Sequence, residues 1–169
     1  MSGQVVMRDL IPGNVDETDV QAAVEIALAA WEPIFAAFRA MMGDDLFMGA
    51  YPDWRALKEG QVRDALHPGD GALVSLAELD GQAVGFITAY TDAQTGIAEL
   101  GNNAVHPAYQ ARGIGPTMHE HMFGRLKAAG MEIVKVTTGG DPSHAPARRA
   151  YEKSGFGVQV PTVTYYRPL

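Results

Sequence analysis

Residues 105–122 read VHPAYQARGIGPTMHEHM, and the order of residue types here decides how the chain is organised. Val105 closes an apolar run that begins near Ile97, glycines follow at 113 and 115, and Ile114, Met118, Met122 and Leu126 then recur at the spacing of one helix face. A strand therefore gives way to a helix through a glycine-bearing bend. The first amides of such a helix have no internal partner and carry the positive end of the dipole, so a diphosphate is well matched there. Gly113 and Gly115 let the backbone approach an anion closely, and Arg112 can add a charge. The plainer alternative is a tight turn with no ligand.

Two rival phosphate motifs fit poorly. A P-loop needs GK[ST], whereas Gly115 is followed by Pro116 and Thr117; a dinucleotide fingerprint needs GxGxxG, and GIGPTM has only the first two glycines.

Upstream, Ala72 to Leu79 and Ala83 to Tyr90 are strand-like runs separated by Asp80, Gly81 and Gln82, which predicts an antiparallel hairpin. Val5 to Leu10 reads as a first strand ended by Pro12, Gly13 and Asn14. A helix with Val20, Val24, Leu28 and Trp31 on one face follows the Asp16 to Asp19 cluster, Pro33 is expected to break or restart it, and Ile34, Phe38 and Met41 continue the stripe to Gly43. A further helix from about Asp53 to Leu66 places Trp54, Leu57, Gln61 and Ala65 along one side, before an HPGDG turn. Residues 16–66 thus read as a helical flap. Downstream, Met131 to Thr137 is a strand, Pro146 to Ser154 a short helix stopped by Gly155, and two short strands close the chain. This order predicts a mixed α/β (α+β) fold in a single domain spanning residues 1–169.

The bulk properties narrow the function. With 169 residues, 47% of them apolar, one core is expected, and neither the start MSGQVVMRDL nor any later run has the apolar length of a signal peptide or membrane span. A soluble, cytoplasmic protein is the expectation. There is no cysteine, and the five histidines lack metal-ligand spacing, so thiolate chemistry is excluded and no metal site is expected. His119 and His121, two apart, do not share a helix face. A formal net charge of −7 disfavours a nucleic-acid binder and mildly favours a cationic substrate, although solubility alone accounts for it.

Val105-His106-Pro107 followed by Gln110 to Gly115 resembles the GNAT acetyltransferase signature VxP then [QR]xxGx[GA]. A second block, HAPARRAYEKSGF from His144 to Phe156, is similar to that family's NxxAxxxYxxxGF, with Ala147, Tyr151, Gly155 and Phe156 in register. Together they cover about residues 97–156. The resemblance implies a mainly antiparallel central sheet flanked by helices, acetyl-CoA as acyl donor, and N-acetyltransferase activity. It places pantetheine contacts at Asn103, Ala104 and Val105, and diphosphate contacts around Gln110, Arg112, Gly113, Ile114, Gly115 and Thr117. Pro116 removes an amide from that cradle, and His144 stands where the family carries asparagine, keeping a capacity to hydrogen-bond the cofactor.

Acyl transfer to an amine needs a base for the ammonium proton and an acid for the leaving thiolate. The resemblance implies Glu99 as base, and strand alternation puts Glu99, Gly101, Asn103 and Val105 on one face if no bulge intervenes. Tyr151 is the implied acid. Their plainer alternatives are a solvated carboxylate and a packed tyrosine. Trp31, Phe35, Phe38, Phe47, Tyr51 and Trp54 are available to line an acceptor site for a small-molecule or peptide amine, and the closing PTVTYYRPL borders either that cleft or a homodimer edge. A non-catalytic acyl-CoA sensor is the alternative function, since fold and cofactor motif do not establish activity. A nucleotide-binding protein is a third.

Overall fold

The computed structural model describes residues 3–11, 13–67 and 71–169. Pro12 and the centre of the HPGDG turn lie outside the described residues. The elements run β1 (Val5–Leu10), α1 (Glu17–Met42), α2 (Asp44–Ala50), α3 (Trp54–Leu66), β2 (Ala72–Leu79), β3 (Gln82–Asp92), β4 (Ile97–Val105), α4 (Ile114–Ala128), β5 (Ile133–Val136) and α5 (Ala145–Lys153). The five strands form one sheet in sequence order, antiparallel from β1 to β4 and parallel between β4 and β5. The hairpin joining β2 to β3 turns on Asp80 and Gly81, with φ of 52° and 80°, as an Asp-Gly pair favours.

One face of the sheet carries α1 and α3. Val20, Val24 and Ala27 of α1 and Val62 and Leu66 of α3 pack on Val74, Leu76, Phe86 and Ala104. The other face carries α4, where Ile114, Met118, Met122 and Leu126 meet Ile87, Ala89, Ala98 and Leu100. The apolar register of α4 is therefore the one the sequence spacing predicts.

Several expectations are corrected. Pro33 does not break the first helix, which runs unbroken for 26 residues from an Asp16 cap whose carboxylate accepts from Thr18 N at 2.7 Å. Proline costs the helix one hydrogen bond, about 3 kcal/mol in an isolated helix, but both halves are anchored by packing: Val20 and Val24 on the sheet, and Phe35 stacked on Trp54 at 4.5 Å. By length and composition α1 is also apolar enough to cross a bilayer, contrary to the expectation that no segment approaches this, yet Val20, Ala23, Val24, Ile26 and Ala27 are buried in the protein core. Met41 leaves the stripe and is exposed. The buried face of α3 is Lys58, Val62, Ala65 and Leu66, whereas Leu57 is exposed; a lysine in the stripe hid its register.

Among the described residues, no strand follows β5. Residues 157–169 have strand-like residues but no partner, Pro161 and Pro168 cannot donate to a ladder, and Val158, Val160, Val163 and Tyr165 stand in solvent.

Candidate active site

Strand β4 is where the sheet opens. Its parallel pairing with β5 runs from Ile97↔Ile133 to Leu100↔Val136 and stops, while its antiparallel pairing with β3 continues to Val105. Among the described residues, the edge from Gly101 to Val105 therefore has no neighbouring strand; Gly101 O and Val105 O accept only from the side chains of Asn103 and Gln110, so the edge is open to another partner. A bulge sits at the point of departure: Ala89 faces Leu100 but Ile87 faces Asn103, so Gly101 and Asn102 share Thr88. Gly101 is required there, because a Cβ would stand 2.6 Å from Thr88 Oγ1 and 2.7 Å from the Tyr90 ring.

The bulge reverses the alternation, so Glu99 does not share a face with Asn103 and Val105. Asn102 turns toward α3, where Lys58 Nζ donates to its Oδ1 at 2.6 Å. Asn103 turns toward α5, where its Nδ2 donates to the Tyr151 phenolic oxygen at 3.1 Å. Glu99 Oε2 is paired with Lys135 Nζ of β5 at 3.0 Å, both groups well exposed. Four residues of strand put Glu99 roughly 13 Å from Asn103.

Tyr151 is buried at 8% exposure. Burial pushes its phenol above the usual tyrosine range, against the opposing hydrogen bond from Asn103, so the hydroxyl keeps its proton at neutral pH. Its ring stacks on His119 at 5.2 Å and meets Phe156 edge-on at 5.7 Å. Ser154 Oγ donates to Ala150 O at 3.0 Å and lies 2.8 Å from His119 Nδ1, which must then carry the proton in that bond. Burial pulls His119 down to about 4, so the imidazole stacked behind the phenol is neutral.

The bend after β4 has the form of an anion cradle. Ala111 and Gly113 both have positive φ, 61° and 80°, and Gly113 caps α4 without a side-chain hydrogen bond. The amides of Ile114 and Gly115 open the helix and have no intrahelical partner. Pro116 has no N–H, and Thr117 N bonds Gly113 O at 3.2 Å, with Thr117 Oγ1 donating to the same carbonyl at 3.0 Å. Gln110 donates to Val105 O at 3.0 Å, closing the loop on the end of β4. Arg112 lies over the Tyr109 ring at 5.2 Å and donates to Ala108 O at 3.1 Å.

Beyond the gap, His144 Nδ1 is 2.5 Å from Asp141 Oδ2, and its ring stands 5.9 Å from Phe38 of α1. Phe38 belongs to an aromatic cluster in which Phe35 touches Phe38, Tyr51 and Trp54, and Phe47 touches Tyr51. Tyr51 and Tyr166 share a hydrogen bond at 2.7 Å, which carries the closing segment onto the flap. Trp31 lies apart from this cluster, under Lys58 Nζ at 3.6 Å. A concavity of 770 Å³ at the flap's far end, lined by Met42, Asp44 and Leu46 together with Tyr166 and Arg167 of the closing segment, contains none of the candidate catalytic or cofactor-binding residues.

The fold thus brings Asn103 and Tyr151 together, sets the 110–117 bend at the end of β4, and leaves Glu99 in an ion pair on the rim. Sequence reasoning passed over Lys58 and Asp141, and weighed His119 only as a metal ligand. Lys58 and His119 resemble ordinary helix residues in sequence; Asp141 stands three before His144, a spacing that signals a side-chain pair at a turn.

Over residues 31–156 the chain matches the profile of the Acetyltransferase (GNAT) family. No curated protein sequence matches significantly. Among solved structures, a GNAT-family protein from Desulfovibrio desulfuricans superposes with a TM-score of 0.68 at 20% identity, covering 93% of this chain and 87% of that one. The PaiA N-acetyltransferase of Thermoplasma acidophilum, in complex with coenzyme A, gives 0.65 at 20%, covering 92% and 91%. A ribosomal-protein alanine N-acetyltransferase from Escherichia coli gives 0.62 at 21%, covering 93% and 80%.

Proposed function

The chain belongs to the GNAT acetyltransferase family, and on that premise we propose that it moves an acetyl group from acetyl-CoA to a primary amine of a small molecule or peptide by direct attack. The observation that carries this reading is the Tyr151 phenol, kept neutral by burial and held by Asn103 beside the unpaired edge of β4.

The residues present fit the acyl carrier. An open strand edge suits an amide-bearing arm, and a helix start with free amides and no side-chain cap suits a diphosphate. When bound, the carrier supplies an acyl group activated as a thioester. Asn103, Ala104 and Val105 hold its pantetheine arm, and Gln110, Arg112, Gly113, Ile114, Gly115 and Thr117 border its phosphates. Pro116 leaves that border one donor short, so the amides of Ile114 and Gly115 bear more of the binding. A backbone amide near Val105 steadies the developing oxyanion. Tyr151 gives its proton to the departing sulfur, and a base takes one from the ammonium. Direct attack needs no acyl-enzyme, in keeping with a chain that has no cysteine.

The test is thiol release from acetyl-CoA with phenethylamine, putrescine, kanamycin and an alanyl peptide as acceptors. Tyr151→Phe should lower kcat by about 100-fold or more while acetyl-CoA affinity stays within about threefold. Equal turnover in the two proteins removes the acid role, and acetyl-CoA binding without thiol release across the panel favours an acyl-CoA sensor instead.

A further inference from the structure

The loop between β5 and α5 builds a dyad that the family resemblance does not imply. Asp141 Oδ1 accepts from Ser143 N at 2.9 Å and from the Ser143 hydroxyl, and Asp141 Oδ2 faces His144 Nδ1 at 2.5 Å. Burial pushes the Asp141 carboxyl up, but the bonds from Ser143 and His144 outweigh it and hold the group below its ordinary range. It is therefore a carboxylate at neutral pH, and a carboxylate on Nδ1 fixes the imidazole tautomer, with its proton on Nδ1 and its lone pair on Nε2.

That lone pair is available. Among the described residues, His144 Nε2 has no hydrogen-bond partner, and the one buried side-chain atom sealed away without a partner is His119 Nε2, not this one. Nε2 thus keeps some solvent access, on a side chain 15% exposed beside Phe38 of the aromatic flap. The dyad is also locked. Arg148 of α5 donates to Gly139 O at 2.5 Å and to Asp141 O at 2.8 Å, and the dyad atoms fill the space a side chain at Gly139 would need.

His144 is the N-cap of α5, and Tyr151 lies about two turns further along the helix. Helical side chains lean toward the N-terminus, so the phenol leans toward the imidazole. One helix thus carries a proton acceptor at its cap and a proton donor about two turns on. Glu99, by contrast, is paired with Lys135 at an exposed position and sits on the sheet face opposite Asn103.

We infer that His144, oriented by Asp141, is the catalytic base that takes the proton from the attacking amine. The inference rests on the transferase reading above. The ammonium gives one proton to Nε2, which passes it to solvent. The C–N bond forms and the C–S bond breaks; Tyr151 gives its proton to sulfur and is restored by the nitrogen's second proton. The products are an amide, a free thiol and one proton in solution. Asp141 is a positioning residue. The groups facing the imidazole are Asp141 and Ser143 from the loop and Phe38 from α1, with Arg148 of α5 on the loop carbonyls.

The experiment compares wild type, His144→Gln, His144→Asn, Asp141→Asn and Glu99→Gln in thiol release, using whichever of the four acceptors turns over fastest. Loss of a general base costs about 10²- to 10⁴-fold. Both His144 variants should lose at least about 100-fold in kcat/KM for the amine, with the KM for acetyl-CoA within about threefold, and Glu99→Gln should stay within about threefold of wild type. Between about pH 7 and 9, where the amine is still an ammonium, log kcat/KM should rise with a slope near one in both His144 variants, which need free amine, and less steeply in wild type, whose base accepts the ammonium proton. Asp141→Asn should lose activity in the same direction. His144→Asn keeps a group able to bond Asp141, so it decides the matter if His144→Gln does not fold. A His144→Asn protein that keeps wild-type rate and slope, or a large loss confined to Glu99→Gln, overturns the assignment. A wild type that releases no thiol with any acceptor fails at the earlier step, the transferase reading itself.

Discussion

Raising the pH should stabilise this protein through Lys58. The side chain is 5% exposed, donates to Asn102 Oδ1, lies over Trp31, and has no carboxylate partner among the described residues. Burial pulls its pKa from 10.5 to about 8. In the unfolded chain the lysine keeps its proton to about pH 10.4, so between the two values the unfolded state binds more protons and stability rises with pH. At about 1.4 kcal/mol per pH unit the full effect is about 3 kcal/mol. The ring face of Trp31 returns about 1 kcal/mol to the charged form. The net gain between pH 7 and pH 10 is then about 2 kcal/mol. Urea unfolding at half-unit pH steps measures it, with Lys58→Met as the reference, because other lysines and tyrosines titrate equally in both proteins. The difference in unfolding free energy between the two should change by that amount across the window. Parallel curves would show that Lys58 keeps its charge in the folded protein and would refute the reasoning.

Gly139→Ala places a methyl group against His144 Nδ1 and Asp141 Oδ2. It should lower amine turnover by about 10- to 100-fold through misplacement of the imidazole, with acetyl-CoA affinity unchanged, as read by paired kinetics and equilibrium binding. Pro33→Ala restores an N–H inside α1 at an exposed position. It should add about 1–3 kcal/mol to the unfolding free energy by urea titration.

The elements whose residues alternate or recur against a single partner were legible in the sequence. Strands β1 to β4, the Asp80-Gly81 hairpin and the register of α4 follow from periods of two and 3.6. The unbroken α1 was not legible, because what holds Pro33 in helix is the stacking of Phe35 on Trp54, a contact 19 residues away in the chain. The closing strands fail for the opposite reason: β propensity needs a partner, and among the described residues, 157–169 have none. Motif spacing placed Tyr151 and the 110–117 bend. It could not place Glu99, since one extra residue in β4 inverts every later side chain, and that bulge is recorded in the pairing of β3 rather than in any local pattern.

That bulge sets two consecutive amides back to back, Asn102 toward the flap through Lys58 and Asn103 toward the phenol through Tyr151. The middle of the molecule is consequently wetted with polar groups on both sides of a single peptide unit, each side satisfied by one distant residue. An exchange at either residue strands a polar atom in the interior. Reactivity and robustness cannot drift apart at this dipeptide: a lineage that retunes one must renegotiate the other.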